Sequence, residues 1–143
     1  MKPSALAKTT EIISALFILL FVYTATSKLL SHQTFAINLK KSPVIGFASG
    51  FLSWAVPIIE IAISALLFVP RFRKVGIVSS FGLLTIFTVY IAYMLMTSSH
   101  FPCSCGGIIS KLSWQQHLWL NVFLTLIAAT AIYLNNRSKF LLQ

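Results

Sequence analysis

Charge is what this chain has least of. Only 9% of its 143 residues are charged while 57% are hydrophobic, and its acidic side chains number two, Glu11 and Glu60. With a mean hydropathy of +0.88, that balance excludes an ordinary soluble domain and marks an integral membrane protein. The net charge of +9 does not point to nucleic acid. The Lys and Arg residues are not gathered on one face with interleaved polar groups; they sit at the ends of apolar runs, where topology signals belong. No polar segment has room for a separate soluble domain, so residues 1–143 are read as one unit. No repeat relates the two halves and a single carboxylate, Glu60, lies deep in an apolar run, so the architecture of secondary carriers is not evident. Cysteine is as scarce as acid. Cys103 and Cys105 are the only two.

What is present is apolar sequence in four stretches, with spans expected at about 12–30, 44–69, 75–97 and 114–134. Met1 to Thr10 reads as a short basic leader with Lys2 and Lys8. Lys28 interrupts the first stretch, which extends to Leu30 if the ammonium snorkels to the interface. A cleaved signal peptide shares this pattern of basic start and apolar core. The core is long for that purpose and Tyr23 to Ser27 is a poor small-x-small site, so a retained first helix is expected. Ser31 to Ser42 reads as a short interfacial helix ended by Pro43, with Phe35 and Leu39 in the lipid boundary and Lys40 and Lys41 in water.

In the second span Gly46, Gly50, Ser53, Pro57, Glu60 and Ser64 recur every three or four residues, a small and polar face expected to point into the bundle. Pro57 removes the hydrogen bond to the Ser53 carbonyl, and a bend is expected there. Pro70 to Lys74 is a compact basic turn. Ser113 and Gln116 match a capping box opening the fourth helix, which is expected to end at Leu134 before a polar tail. The fold class is therefore all-α, a polytopic four-helix membrane bundle. Four spans put both termini on one side with Lys2, Lys8, Arg71, Arg73, Lys74, Arg137 and Lys139, against Lys28, Lys40, Lys41 and Lys111 on the other. That bias predicts termini on the cytoplasmic side and the cysteine loop on the extracytoplasmic, oxidising side of the cell membrane.

The chemistry-bearing stretch is His100-Phe101-Pro102-Cys103-Ser104-Cys105-Gly106-Gly107. One residue separates the thiols, Pro102 restricts the chain before them and the glycines free it after. Three readings are open. Cys103 and Cys105 form a redox pair; a bridge across one residue is strained and easily reduced, which suits exchange, and the Gly106 and Gly107 amides with Lys111 favour the thiolate. Alternatively His100, Cys103, Cys105 and His117 hold a metal, although the spacing is not that of common zinc motifs. Or the thiols are idle in a turn.

Trp114, His117, Asn121 and Thr125 share one face of the fourth helix. His117 is the candidate base for a thiol and Asn121 the candidate that orients it, the plain alternative being interfacial anchors. Glu60 must face a partner or a cavity, and Lys28 is its best cationic partner, as a tether between helices or part of a proton relay.

These residues carry a resemblance. Tyr23-Thr24-Ala25-Thr26-Ser27-Lys28, Phe35, Ser42-Pro43, Pro57-Ile58-Ile59-Glu60, the Cys103-Ser104-Cys105-Gly106-Gly107 loop and Trp114-Gln115-Gln116-His117 together resemble the MauE/DoxX group of small redox-associated membrane proteins. The Lys and Pro-x-x-Glu features are similar to the wider DoxX pattern; the loop feeding Trp-x-x-His is more specific to the MauE-like branch. The resemblance implies a four-helix inner-membrane helper linked to methylamine utilisation, assisting disulfide formation or maturation of an extracytoplasmic protein. Its redox role maps only onto Cys103 and Cys105. It departs from disulfide-generating membrane enzymes that use Cys-x-x-Cys and a second pair, so a partner dithiol, such as a thioredoxin-like protein, has to supply what is missing. A membrane quinone between helices, near Trp54, Tyr90 and Tyr93, is the cofactor this reading would use. The rival reading is a non-catalytic anchor or assembly subunit, like the DoxX-like subunits of quinone-coupled oxidoreductases.

Overall fold

A computed structural model describes residues 2–97 and 114–141. Among the described residues five α-helices follow one another: α1 (Pro3–Leu30), α2 (His32–Lys40), α3 (Ser49–Phe68), α4 (Arg73–Thr97) and α5 (Trp114–Leu141), with a 3-10 turn, Gly46–Ala48, leading into α3. Four of these segments, Ser4–Leu30, Gly46–Phe68, Arg73–Thr97 and Gln115–Phe140, are long and apolar enough to cross a membrane. The protein is an all-helical, four-span bundle with α2 as a short fifth helix. No strand occurs among the described residues.

The four long helices form a closed ring. α1 packs on α3 and α5, α4 packs on the same two, and α1 and α4 lie across the diagonal. The centre is filled by Phe17 and Phe21 from α1, Ile63 and Leu67 from α3, Ile77 and Leu84 from α4, and Leu124, Ala128 and Ala131 from α5. Phe17 and Phe21 are neighbours one turn apart, their rings 6.1 Å centre to centre and tilted by 35°. Between helices in lipid there is little hydrophobic drive, so close approach matters most. It is visible at Gly76, where a Cβ would lie 2.9 Å from the Leu67 backbone nitrogen. Gly46 is equally constrained, since a Cβ there would lie 2.6 Å from the Lys40 carbonyl oxygen. The outward faces are apolar, with Ile12, Leu19, Val89 and Phe123 exposed, as lipid contact requires.

Two helices are longer than their apolar cores. The basic leader is not separate from α1: Pro3 starts the helix, a position where its missing N–H costs nothing, and Leu6 and Thr10 are already buried. At about 1.5 Å per residue α1 is about 42 Å long, more than the hydrocarbon thickness. α5 likewise does not stop at Leu134. Arg137 Nη1 donates to the Tyr133 hydroxyl at 2.8 Å and Ser138 Oγ to the Asn135 carbonyl at 2.9 Å, so the polar tail is held in helical register to Leu141.

The face expected to turn inward on the second span does so from Ser53 to Ser64: Ser53, Pro57, Glu60 and Ser64 are all buried. Gly50 does not belong to it, being exposed, and Gly46 precedes the helix. α3 runs on through Pro57 as one helix.

Candidate functional site

The half of the bundle from which segment 98–113 links α4 to α5 contains a cavity of about 360 Å³. Its walls come from Leu20 to Lys28 of α1, Phe35 and Leu39 of α2, Leu52 to Glu60 of α3, Leu83 to Ile91 of α4 and His117 to Leu124 of α5. Most wall residues are apolar, the exceptions being Thr24, Lys28, Glu60, Tyr90, His117 and Asn121. Ile59 and Ile86 line it and are also 44% and 65% exposed, so the cavity has an edge toward lipid between α3 and α4.

The ammonium and the carboxylate on its walls meet each other. Lys28 Nζ donates to Glu60 Oε1 at 2.6 Å, and the two residues are only 5% and 1% exposed. The pair joins α1 to α3. The ammonium also lies 5.9 Å from the ring centre of Phe35 and 5.8 Å from that of Phe87, distances at which an aromatic face attracts a cation. Lys28 therefore does not snorkel to the interface; its carboxylate partner and two rings hold it inside. The pair is electrically neutral as a unit, and removing one member of such a buried pair leaves an uncompensated charge.

α2 closes one side of this site. Its Phe35 and Leu39, each 4% exposed, face protein and the cavity, contrary to the expectation that they lie in the lipid boundary. The reason is Lys28 beneath them, together with two clasps. Tyr90 donates from its hydroxyl to Ser42 Oγ at 2.9 Å, and His32 Nε2 lies 3.1 Å from Ser53 Oγ, whose own proton goes to the Gly50 carbonyl at 2.9 Å. Of the aromatic residues expected near a quinone, only Tyr90 lines the cavity. Trp54 instead stacks on His32 at 4.1 Å between ring centres and is 53% exposed, and Tyr93 is 50% exposed.

His117 and Asn121 both line the cavity, so Lys28, Glu60, His117 and Asn121, each singled out from sequence, meet around one space. Asn121 is buried and its Nδ2 donates to the His117 backbone carbonyl at 3.2 Å. Thr125, one turn further, approaches Thr88 of α4 at 3.4 Å, which fixes this stripe of α5 toward α4. Cys103, Cys105, His100, Lys111 and the Ser113 end of the capping box lie outside the described residues. Among the described residues no three His, Cys, Asp or Glu side chains are grouped to hold a metal. Sequence reasoning missed Phe87 and the Tyr90 to Ser42 bond. Phe87 sits one turn before Tyr90 and Ile91, a periodicity indistinguishable from ordinary packing.

Compared with known proteins, the chain matches no curated protein and no solved structure. The profile of methylamine utilisation protein MauE, however, matches residues 6–134, nearly the whole chain and most of every helix described above. The chain is a multi-pass membrane protein belonging to the MauE family.

Proposed function

We propose that the chain is a membrane thiol/disulfide exchange protein that assists disulfide formation in an extracytoplasmic client, with Cys103 and Cys105 as its redox pair. The observation that supports this most is positional. The cysteines lie in the segment joining α4 to α5, and the adjoining halves of those two helices wall the cavity that holds His117, Asn121 and the Lys28–Glu60 pair.

In the exchange, a client thiolate attacks one sulfur of the Cys103–Cys105 disulfide, forming a mixed disulfide and releasing the other cysteine as a thiolate. A second client thiolate then displaces the protein's sulfur, leaving the client oxidised and the pair reduced. Regeneration needs an acceptor for two electrons and two protons. The cavity fits a lipid-soluble quinone for four reasons. Its walls are apolar, its volume is in the range of small-molecule sites, its charged pair is already neutral, and its edge at Ile59 and Ile86 leaves a way for an isoprenoid tail. A quinone held there would take up the electrons and protons that the dithiol gives up on closing. Lys28, whose ammonium keeps donors beyond the one given to Glu60, offers a hydrogen bond on its walls, and His117 serves in this reading as the base that moves a proton between cavity and loop. The loop faces the extracytoplasmic side on the distribution of basic residues. The client is a disulfide-containing protein or a thioredoxin-like partner.

Single Cys103→Ser and Cys105→Ser variants, analysed on non-reducing gels, test the reading. One of them should accumulate a reductant-sensitive adduct with a client protein. If both trap nothing and both sustain full client oxidation, the cysteines are incidental and the chain is an anchor or assembly subunit.

A further inference from the structure

At the opposite end of the bundle, where α1 begins and α5 ends, a second hollow of about 200 Å³ is bounded by three elements: the start of α1, the α3–α4 turn and the end of α5. Its chemistry is the reverse of the first cavity. Lys8, Arg71, Arg73, Lys74 and Lys139 line it, with Glu11 as its one acid among the described residues and Asn135 and Ser138 as neutral hydrogen-bonding groups. A basic excess at this end is what topology demands, but topology is satisfied by solvated side chains. Arg73 is largely withdrawn from solvent. Its side chain is 22% exposed, and its Nε is buried without a hydrogen-bond partner among the described residues. The acid of the hollow, Glu11, meets Nη1 at a long 3.4 Å and is itself 61% exposed, a contact worth little and easily displaced. Arg73 also opens α4, whose first turn has no acidic residue, so the positive pole of the helix adds to the guanidinium instead of offsetting it.

We infer that this hollow binds the phosphate group of an anionic phospholipid. A planar guanidinium beside Lys ammonium groups suits the oxygens of a phosphodiester. Exposed Phe68, Phe72, Tyr133 and Phe140 flank the same end, which places the hollow at headgroup depth. Basic pockets between spans at this depth take lipid headgroups. The inference does not depend on the thiol reading.

Native mass spectrometry of the full chain released from detergent, titrated with phosphatidylglycerol, phosphatidylcholine or inorganic phosphate, tests it. The wild type should hold phosphatidylglycerol in preference to phosphatidylcholine. Arg73→Gln should weaken that binding about fivefold, in line with ~1 kcal/mol per cation at a membrane surface, and Arg73→Lys should fall between. Lys40→Gln with Lys41→Gln, at the other end, should leave it unchanged. Millimolar inorganic phosphate should fail to displace the lipid; full displacement would assign the site to free phosphate and overturn the lipid source. Equal retention of both lipids, or an Arg73→Gln chain of wild-type helicity and melting temperature that binds like wild type, would overturn the site.

Discussion

Lys28 and Glu60, 32 positions apart, meet at 2.6 Å inside the bundle and tie its first spanning helix to its second. Replacing one partner should cost far more than replacing both. Glu60→Gln alone or Lys28→Met alone leaves one buried polar group uncompensated, a loss of about 3–5 kcal/mol, whereas the double variant Lys28→Met with Glu60→Leu should recover most of it. Denaturant unfolding in detergent, followed by helicity, reads this directly. A double variant as unstable as the sum of the singles would show that the pair's neighbours, not the pair, carry the stability.

Glycine is required where helices cross and dispensable where they do not. Gly76→Ala forces a methyl group against the Leu67 backbone and should cost about 1–3 kcal/mol. A Cβ added at Gly82 would meet nothing within 4 Å, so Gly82→Ala should be neutral or stabilising by up to about 1 kcal/mol. The two melting temperatures should move in opposite directions or only the first should move.

Tyr90→Phe removes the donor to Ser42 and keeps the ring in the cavity wall. The expected loss is about 1 kcal/mol, concentrated on α2. Hydrogen exchange should quicken at residues 35–42 and stay unchanged in the α4–α5 contact around Thr88 and Thr125.

Filling the cavity should separate fold from ligand. Ile86→Trp, at the lipid edge, should leave helicity intact while abolishing co-purification of quinone, measured by extraction and absorbance. Wild-type quinone content in that variant would remove the cavity from the redox account.

How much of the fold and site was legible in the sequence depended on the kind of signal. Lys28 and Glu60 could be paired from sequence because a charge in hydrocarbon needs a partner, and only one of each sign lay deep enough. His117 and Asn121 could be placed on one face by helical spacing, and both reach the cavity. Phe35 was not legible. A nine-residue amphipathic helix shows the same pattern whether its apolar side meets lipid or protein, and the difference lies in Lys28 beneath it and Tyr90 beside it. Trp54 and Tyr93 were expected near the cavity and lie outside it, because an aromatic residue in a span looks alike from either face. The ends of α1 and α5 extended past the apolar runs for local reasons, Pro3 in one and the Arg137 and Ser138 bonds in the other.

The most direct measurement is alkylation of Cys103 and Cys105 with a membrane-impermeant maleimide, in intact cells and in spheroplasts, before and after reduction. If the pair exchanges disulfides outside the lipid barrier, it should be protected as a disulfide at steady state, react fully from the outer face once reduced, and shift toward the reduced form in Ile86→Trp. Thiols that react without prior reduction in every strain, or that react only after the membrane is breached, would contradict the account.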